Sequence, residues 1–226
     1  MSRKSFKILF LGVIICLGCN NGFQTTQAQA SFKVARLKYS GGGDWYNDPS
    51  ALVNLMAFIE KNTGMKTPNS EDIVDVGSSK LFNYPFVFMT GHGRVAFTEE
   101  ERENLRTYLL SGGFLYADDD YGMDKSFRQE MAKVFPNHPL QALPFSHELY
   151  HIYYPFPGGL PKIHEHDNKS PAGYAIVHEG RVIVFYTYET NPSDAWADAT
   201  IHNDPPEKRL EAFKLGTNIL WYVLSH

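Results

Sequence analysis

Two short apolar runs end abruptly in polar residues. Phe86-Val87-Phe88-Met89-Thr90 runs into Gly91-His92-Gly93, and Phe114-Leu115-Tyr116-Ala117 runs into Asp118-Asp119-Asp120. Continuous apolar runs of this length, bounded by turn residues, read as strands buried on both faces, which is the habit of parallel sheets. Between them, Leu105, Tyr108 and Leu109 recur at helical spacing, so the segment reads as strand–helix–strand. Thr98 opens that helix, and Glu101 completes a capping box with it. Glu99 and Glu100 suit the positive end of the helix dipole. Arg102 and Arg106 fall on the face expected to meet water, and Gly112-Gly113 stops the helix.

The same reading extends along the chain. Phe32, Val34, Leu37 and Tyr39, with basic residues between them, predict a first strand. A glycine-rich loop, Ser40 to Asp48, follows. Asp48 is expected to cap a helix with Pro49 at its first position. Leu52, Val53, Leu55, Met56 and Ile59 form that helix's apolar stripe, and Gly64 ends it. Ile73 to Val76 predicts a second strand, and Phe127 to Phe135 a further helix. Pro136 to Pro161 reads as irregular, with one short strand near Ile152. Tyr174 to Val177 and Arg181 to Tyr188 predict two strands around the turn Glu179-Gly180. Asp204-Pro205-Pro206-Glu207 starts a last helix that buries Phe213, Gly216, Ile219, Leu220 and Val223. The order β-α-β-β-α-β-α-β-β-α predicts a three-layer α/β sandwich with a mostly parallel central sheet.

Composition narrows the class. The chain has 226 residues, 43% of them hydrophobic, which suffices for one sizeable core. Its net charge of -4 shows no basic excess, so nucleic acid is not an expected partner. Residues 1–30 read as a signal peptide: Arg3, Lys4 and Lys7 precede the apolar stretch Ile8 to Leu17, and Ala28-Gln29-Ala30 offers a cleavage site. Residues 31–226 are then one α/β domain, exported to the periplasm or associated with the outer membrane. Leu17-Gly18-Cys19 also resembles a lipoprotein box, so lipidation at Cys19, with membrane attachment, stands beside cleavage after Ala30. Cys16 occupies the place where that box carries a large aliphatic residue. Both cysteines lie before residue 20, so the body has no disulfide, thiolate metal site or cysteine nucleophile.

The segments FVFMTGHG, TEEERENLRTYLLSGGFLYADDD, FRQEMAKVFP and LPFSHELYHIYY resemble the bacterial family called domain of unknown function 4159, over Lys33 to the C-terminus. RTYLLSGGFLYADD is the most specific of these. The resemblance implies a fold similar to class I glutamine amidotransferases, in the flavodoxin-like group. GRVIVFYTYE and LGTNILWYVL look more distantly like the trehalose-utilisation (ThuA-like) branch. The family brings no established activity. Amidotransferases carry a nucleophilic cysteine in a glycine-flanked strand-to-helix turn, and here Gly91-His92-Gly93 stands in the analogous-looking turn. Glutaminase chemistry by a thiolate is thereby excluded.

Candidate site residues follow from placement, because ligands of open α/β sheets sit beyond the carboxyl ends of the strands. His92, Asp118 and Asp120 are the catalytic candidates. Adjacent strand residues point to opposite faces, so Asp118 and Asp120 are expected to share a site while Asp119 faces away. Trp45, Tyr46, Asp119, His147, His151 and Glu189 are ligand-binding candidates, and Asp194-Ala195-Trp196 follows Glu189 toward the same cleft. His147-Glu148-Leu149-Tyr150-His151 has the letters of His-Glu-x-x-His, but zinc proteases carry that run on a helix, where i and i+4 share a face, and Pro144 and Tyr153-Tyr154-Pro155 argue against a long helix here. If either reached His92 and Asp118, the result would be a mixed N/O metal site. His164-Glu165-His166-Asp167 looks like a metal-ligand run, but Asn168-Lys169-Ser170 beside it favours a solvated loop. No cofactor is established by these residues, and a divalent metal is compatible with them. Two functions fit: a module binding a small polar ligand or a partner protein in the strand-end cleft, or a hydrolase or isomerase of carbohydrate or other small polar substrates, metal-assisted or not.

Overall fold

A computed structural model describes residues 32–164 and 166–226; the expected leader at residues 1–30, with Cys19, lies outside them. The elements are β1 (Val34–Lys38), α1 (Ala51–Thr63), β2 (Asp72–Asp75), β3 (Phe86–His92), α2 (Glu99–Leu110), β4 (Leu115–Tyr121), α3 (Asp124–Val134), β5 (Gln141–Ala142), β6 (Ala172–His178), β7 (Arg181–Tyr188), α4 (Pro192–Trp196), α5 (Ala199–His202) and α6 (Pro206–Ser225). The strands form one sheet in the order β2-β1-β3-β4-β7-β6-β5. Neighbours from β2 to β7 pair in parallel, whereas β6 runs antiparallel to both β7 and β5. The chain winds outward from β1 to β2 and then returns to β3, which places the point of reversal between β1 and β3.

Alternation along the strands sorts the core into two layers. Phe86, Phe88, Phe114, Tyr116 and Phe185 face α1, α4 and α6. Val87, Met89, Leu115, Ala117 and Val184 face α2 and α3. The result is the expected three-layer sandwich with a mostly parallel central sheet. The capping box of α2 forms as its sequence requires: the Thr98 side chain accepts from the Glu101 N–H, and Glu101 accepts from the Thr98 N–H. Gly64 closes α1 at φ 75°, donating its N–H to Glu60 O. Glu179 and Gly180 both take positive φ in the tight β6–β7 turn, which suits the twist of a two-residue hairpin. Gly113 is required at the start of β4 because the Tyr108 ring lies where a Cβ would sit.

Several expectations are corrected. β4 continues through the three aspartates to Tyr121, since their side chains find buried partners. Asp48 does not cap α1: Ser50 precedes the first helical residue, and the Asp48 side chain turns inward. No strand forms at Ile152; the extra strand is β5, and Glu148–Tyr150 is a single 3-10 turn. Arg102 and Arg106 clasp α3 instead of facing water, through Glu130 and the Val134 carbonyl. The short helices α4 and α5 carry too few residues for a periodic signal.

Candidate functional site

β4 divides its three aspartates between the faces of the sheet. All are buried, at 0%, 4% and 3% exposure for Asp118, Asp119 and Asp120. Asp118 accepts from the Thr187 hydroxyl at 2.5 Å and the Ser193 N–H at 2.8 Å. Burial pushes its carboxyl up to about 7, against the pull of those two donors. Asp119 points to the α3 side and accepts from the Met123 N–H at 2.9 Å. Burial raises it to about 6. Asp120 returns to the α4 side, where Asn191 Nδ2 donates to its Oδ1 at 2.6 Å and Asn47 donates to its Oδ2. Its carboxyl is raised by burial and drawn back down by His92.

His92 ends β3, one strand from β4. Its Nδ1 lies 3.1 Å from Asp44 Oδ2 and 3.1 Å from Asp120 Oδ2, and its ring is half-exposed. Gly91 makes this possible. At φ 140° it presents no Cβ, and one would strike the Tyr39 hydroxyl and Asp44 Oδ1. Asp44 therefore comes close enough to accept from the His92 N–H as well. The Trp45–Asp48 stretch is held from beneath by Arg36, which is buried in β1. Its guanidinium donates to the Asn47 carbonyl at 2.6 Å and the Asp48 carbonyl at 2.9 Å, and pairs with Glu71 at 2.9 Å.

The segment after β7 completes the site. Glu189 and Asn191 both take positive φ, at 61° and 53°, a conformation non-glycine residues adopt at a cost. Asn191 thereby turns its amide between Asp120 and Asp194, donating to Asp194 Oδ2 at 2.7 Å. His164 Nδ1 lies 2.7 Å from Asp194 Oδ2, and its Nε2 lies 2.9 Å from Asp204 Oδ1. His202 Nε2 lies 2.7 Å from Asp48 Oδ1. Burial raises Asp194 far above the usual carboxylate range, and the charges of Asp120 and Asp48 add to the effect. Among the described residues no Lys or Arg pairs with Asp48, Asp118, Asp120 or Asp194; the ion-pairing partners of Asp48, Asp120 and Asp194 are histidines.

On the α3 side of β4, a cavity of about 310 Å³ opens to solvent, lined in part by Asp119, Tyr121, Asp124, Lys125, His166 and Glu189. Tyr121 and His166 stack with ring centroids 5.1 Å apart. Glu189 is anchored by Lys162 at 3.0 Å. This side offers carboxylate acceptors and ring faces within one concavity.

The structure brings together His92 and Asp120, but Asp118 lies deeper, against Thr187 and Ser193, and reaches neither His92 nor solvent. Asp119 and Glu189 line the cavity on the α3 side. Trp45 packs edge-on to Tyr46 at 5.5 Å and is half-buried over the sheet, while Tyr46 is exposed. His147 and His151 do not approach the site. His147 sits against the Tyr222 ring, whose hydroxyl accepts from Val182 N–H at the start of β7, so this group lies at the amino ends of the strands. His151 Nε2 contacts the Phe145 carbonyl. The mixed site with His92 and Asp118 is thereby ruled out, because the 3-10 turn at Glu148–Tyr150 packs at the opposite end of α6.

Asp48, Asn191 and His202 belong to the site although the sequence did not single them out for it, and His164, which the sequence offers as part of a ligand run but favours as loop, joins them. His164 lies in a stretch whose polar composition mimics a solvated loop; Glu165 lies outside the described residues. The one available signal was proximity to strand ends, which Asp48 and Asn191 share.

No curated protein matches the chain. The motifs that build β3, α2 and β4, and the acidic strand end they deliver, fall within a match to the family model described as Domain of unknown function (DUF4159), which spans residues 33–224, and the chain belongs to that family.

Proposed function

We propose that this domain is the binding module of an exported protein and that its ligand is a small polyhydroxylated molecule held at the carboxyl ends of β4 and β7. One observation carries the reading: a cavity of about 310 Å³ combines carboxylate acceptors, Asp119, Asp124 and Glu189, with the stacked rings of Tyr121 and His166. Carboxylates accept hydrogen bonds from sugar hydroxyls, and ring faces cover the apolar side of a sugar. The volume falls at the small end of ligand pockets. The amidotransferase-like ancestry suggested by the sequence fits a cleft kept after its nucleophile was lost, since fold does not dictate activity. Export, with a mature start at Ser31 or a lipidated Cys19, places the module in the periplasm or at the outer membrane. Mass spectrometry of the mature N-terminus in the native cell distinguishes the two, and an intact Met1 overturns both.

The binding reading is tested by titrating a panel of mono- and disaccharides against the wild type, Tyr121→Ala and Asp119→Asn. A sugar bound by the wild type and at least tenfold more weakly by both variants supports it. A ligand bound equally by all three sits elsewhere and overturns it, as does a panel without any binder.

A second reading, hydrolase or isomerase, rests on His92. Its Nδ1 is braced by two carboxylates and its ring is half-exposed, the arrangement of an oriented general base. Turnover of a panel sugar that disappears in His92→Ala, while affinity for that sugar persists, selects this reading. Binding without turnover selects the first.

A further inference from the structure

We propose that Asp48, Asp120 and Asp194 hold a divalent metal ion of the manganese or zinc class, with His164 and His202 supplying nitrogen ligands from the Asp194 side. This site lies on the α4 side of β4, apart from the sugar-sized cavity on the α3 side, so it does not depend on the ligand reading.

Geometry comes first. One oxygen from each of Asp48, Asp120 and Asp194 lies within 4.8 Å of the other two, and all three residues are buried. A ring nitrogen from each of His164 and His202 and an oxygen of Asp194 form a second set within the same reach. Asp194 is common to both. Donor atoms at such separations can close on one ion with small side-chain adjustments, since metal–ligand bonds are about 2.0–2.2 Å long.

The second observation concerns unsatisfied atoms. Asp194 Oδ1 and Asn191 Oδ1 are buried without a hydrogen-bond partner among the described residues. Buried acceptors are normally paired, and an unpaired one is costly. Asn191 spends its Nδ2 on Asp120 Oδ1 and Asp194 Oδ2, which orients both carboxylates and leaves Asp194 Oδ1 free. Like-charged carboxylates in a buried cluster repel, and no Lys or Arg among the described residues neutralises them. A divalent cation answers the charge and the free oxygen together.

The supporting structure also holds the ligands in place. Arg36 fixes the backbone of Asp48 through its carbonyl, and Asp204 orients His164 through Nε2. Carboxylate contacts of this kind orient metal-binding histidines. A set mixing carboxylate oxygen with imidazole nitrogen suits manganese or zinc; calcium takes 6–8 oxygen ligands.

The test titrates metal-stripped, tag-free full chain with MnCl2, ZnCl2, CaCl2 and MgCl2 alone, by calorimetry and by thermal melting. The expected result is one manganese or zinc ion per chain, a higher melting midpoint when saturated, and at least about tenfold weaker binding in Asp194→Asn. His147→Ala, at the opposite end of the sheet, binds as the wild type does. Electron spin echo on the Mn2+-loaded wild type, which needs no variant to fold, shows imidazole nitrogen coupling. No binding of any of the four ions at millimolar concentration overturns the site. So do unchanged affinity in a folded Asp194→Asn, tighter binding of calcium than of manganese and zinc, or no nitrogen coupling. Because metal alone is the probe, these outcomes stand whatever the sugar panel returns.

Discussion

The two ends of this sheet carry similar side chains in opposite circumstances. At the amino ends, His147, Glu148 and His226 gather around Tyr222, with His151 beside them on the Phe145 carbonyl. His226 stacks on the Tyr222 ring at 4.3 Å and lies 3.1 Å from Glu148. Glu148 and His151 are exposed, and each polar group meets a neighbour or solvent. At the carboxyl ends, Asp48, Asp118, Asp120 and Asp194 are buried together with only histidines and neutral donors for company. Residue types alone would rank the two groups equally. Burial separates them: an exposed acid–histidine pair is worth little and costs little, whereas a buried acidic cluster opposes folding unless something offsets it. Carboxyls whose proton affinity is shifted by burial at a strand-end cleft mark that end as the candidate site.

The comparison breaks hardest at Arg36, the support beneath the carboxyl-end loop. Arg36→Met strands the Glu71 carboxylate and two loop carbonyls, and a loss of about 3–5 kcal/mol is expected. Urea unfolding measures it; a loss below about 1 kcal/mol would detach the loop from that support. Asp118 sharpens the comparison through pH. Its carboxyl rises from 3.8 to about 7 in the folded protein, so the native state holds the proton more tightly than the unfolded chain does. The stability associated with that proton is present below about pH 4 and declines as pH rises toward 7. Roughly three pH units at about 1.4 kcal/mol each give about 4 kcal/mol. In Asp118→Asn, metal-free melts between pH 4 and 7 are expected to lose the share of the slope that Asp118 supplies while keeping those of Asp119 and Asp194, and an unchanged slope would assign it all to those groups.

Asp194→Asn tests the strain of the cluster itself. Without metal it removes the cost of protonating that carboxyl on folding so that it can be buried beside Asp120 and Asp48, and a gain of about 1–2 kcal/mol is expected. A variant less stable than the metal-free wild type would mean that the histidines already neutralise the cluster. The smallest effects belong to the amino end: His151→Ala is expected to stay within about 0.5 kcal/mol, as exposed substitutions do. A larger change there would remove the contrast between the two ends.

How much was legible beforehand depends on the range of the interactions. Thr98 and Glu101, Gly64, and the turn at Glu179-Gly180 act within a few residues, and each appears as read. The alternation of Asp118, Asp119 and Asp120 follows from strand geometry, although only Asp120 reaches His92. Asp48 looked like a helix cap because Pro49 follows it. His164 looked like part of a solvated loop because of Asn168-Lys169-Ser170. In both cases a contact made far along the chain overrode the local signal: Asp48 meets His202, 154 residues away, and His164 meets Asp204, 40 residues away.

The sequence alone therefore determined the layered α/β architecture, the parallel core strands and the end of the sheet where chemistry collects. Those features follow from hydrophobic periodicity and from backbone preferences that each segment carries in itself. Only the tertiary structure decided which acids and histidines meet. Four loops and two short helices without periodicity converge there, their conformations set by Arg36, Gly91 and Asn191 through hydrogen bonds and close approaches that exist only once the sheet has formed. It also decided that the histidines around Glu148 stay at the far end, because the 3-10 turn at Glu148–Tyr150 packs against the end of α6 and not at the strand tips.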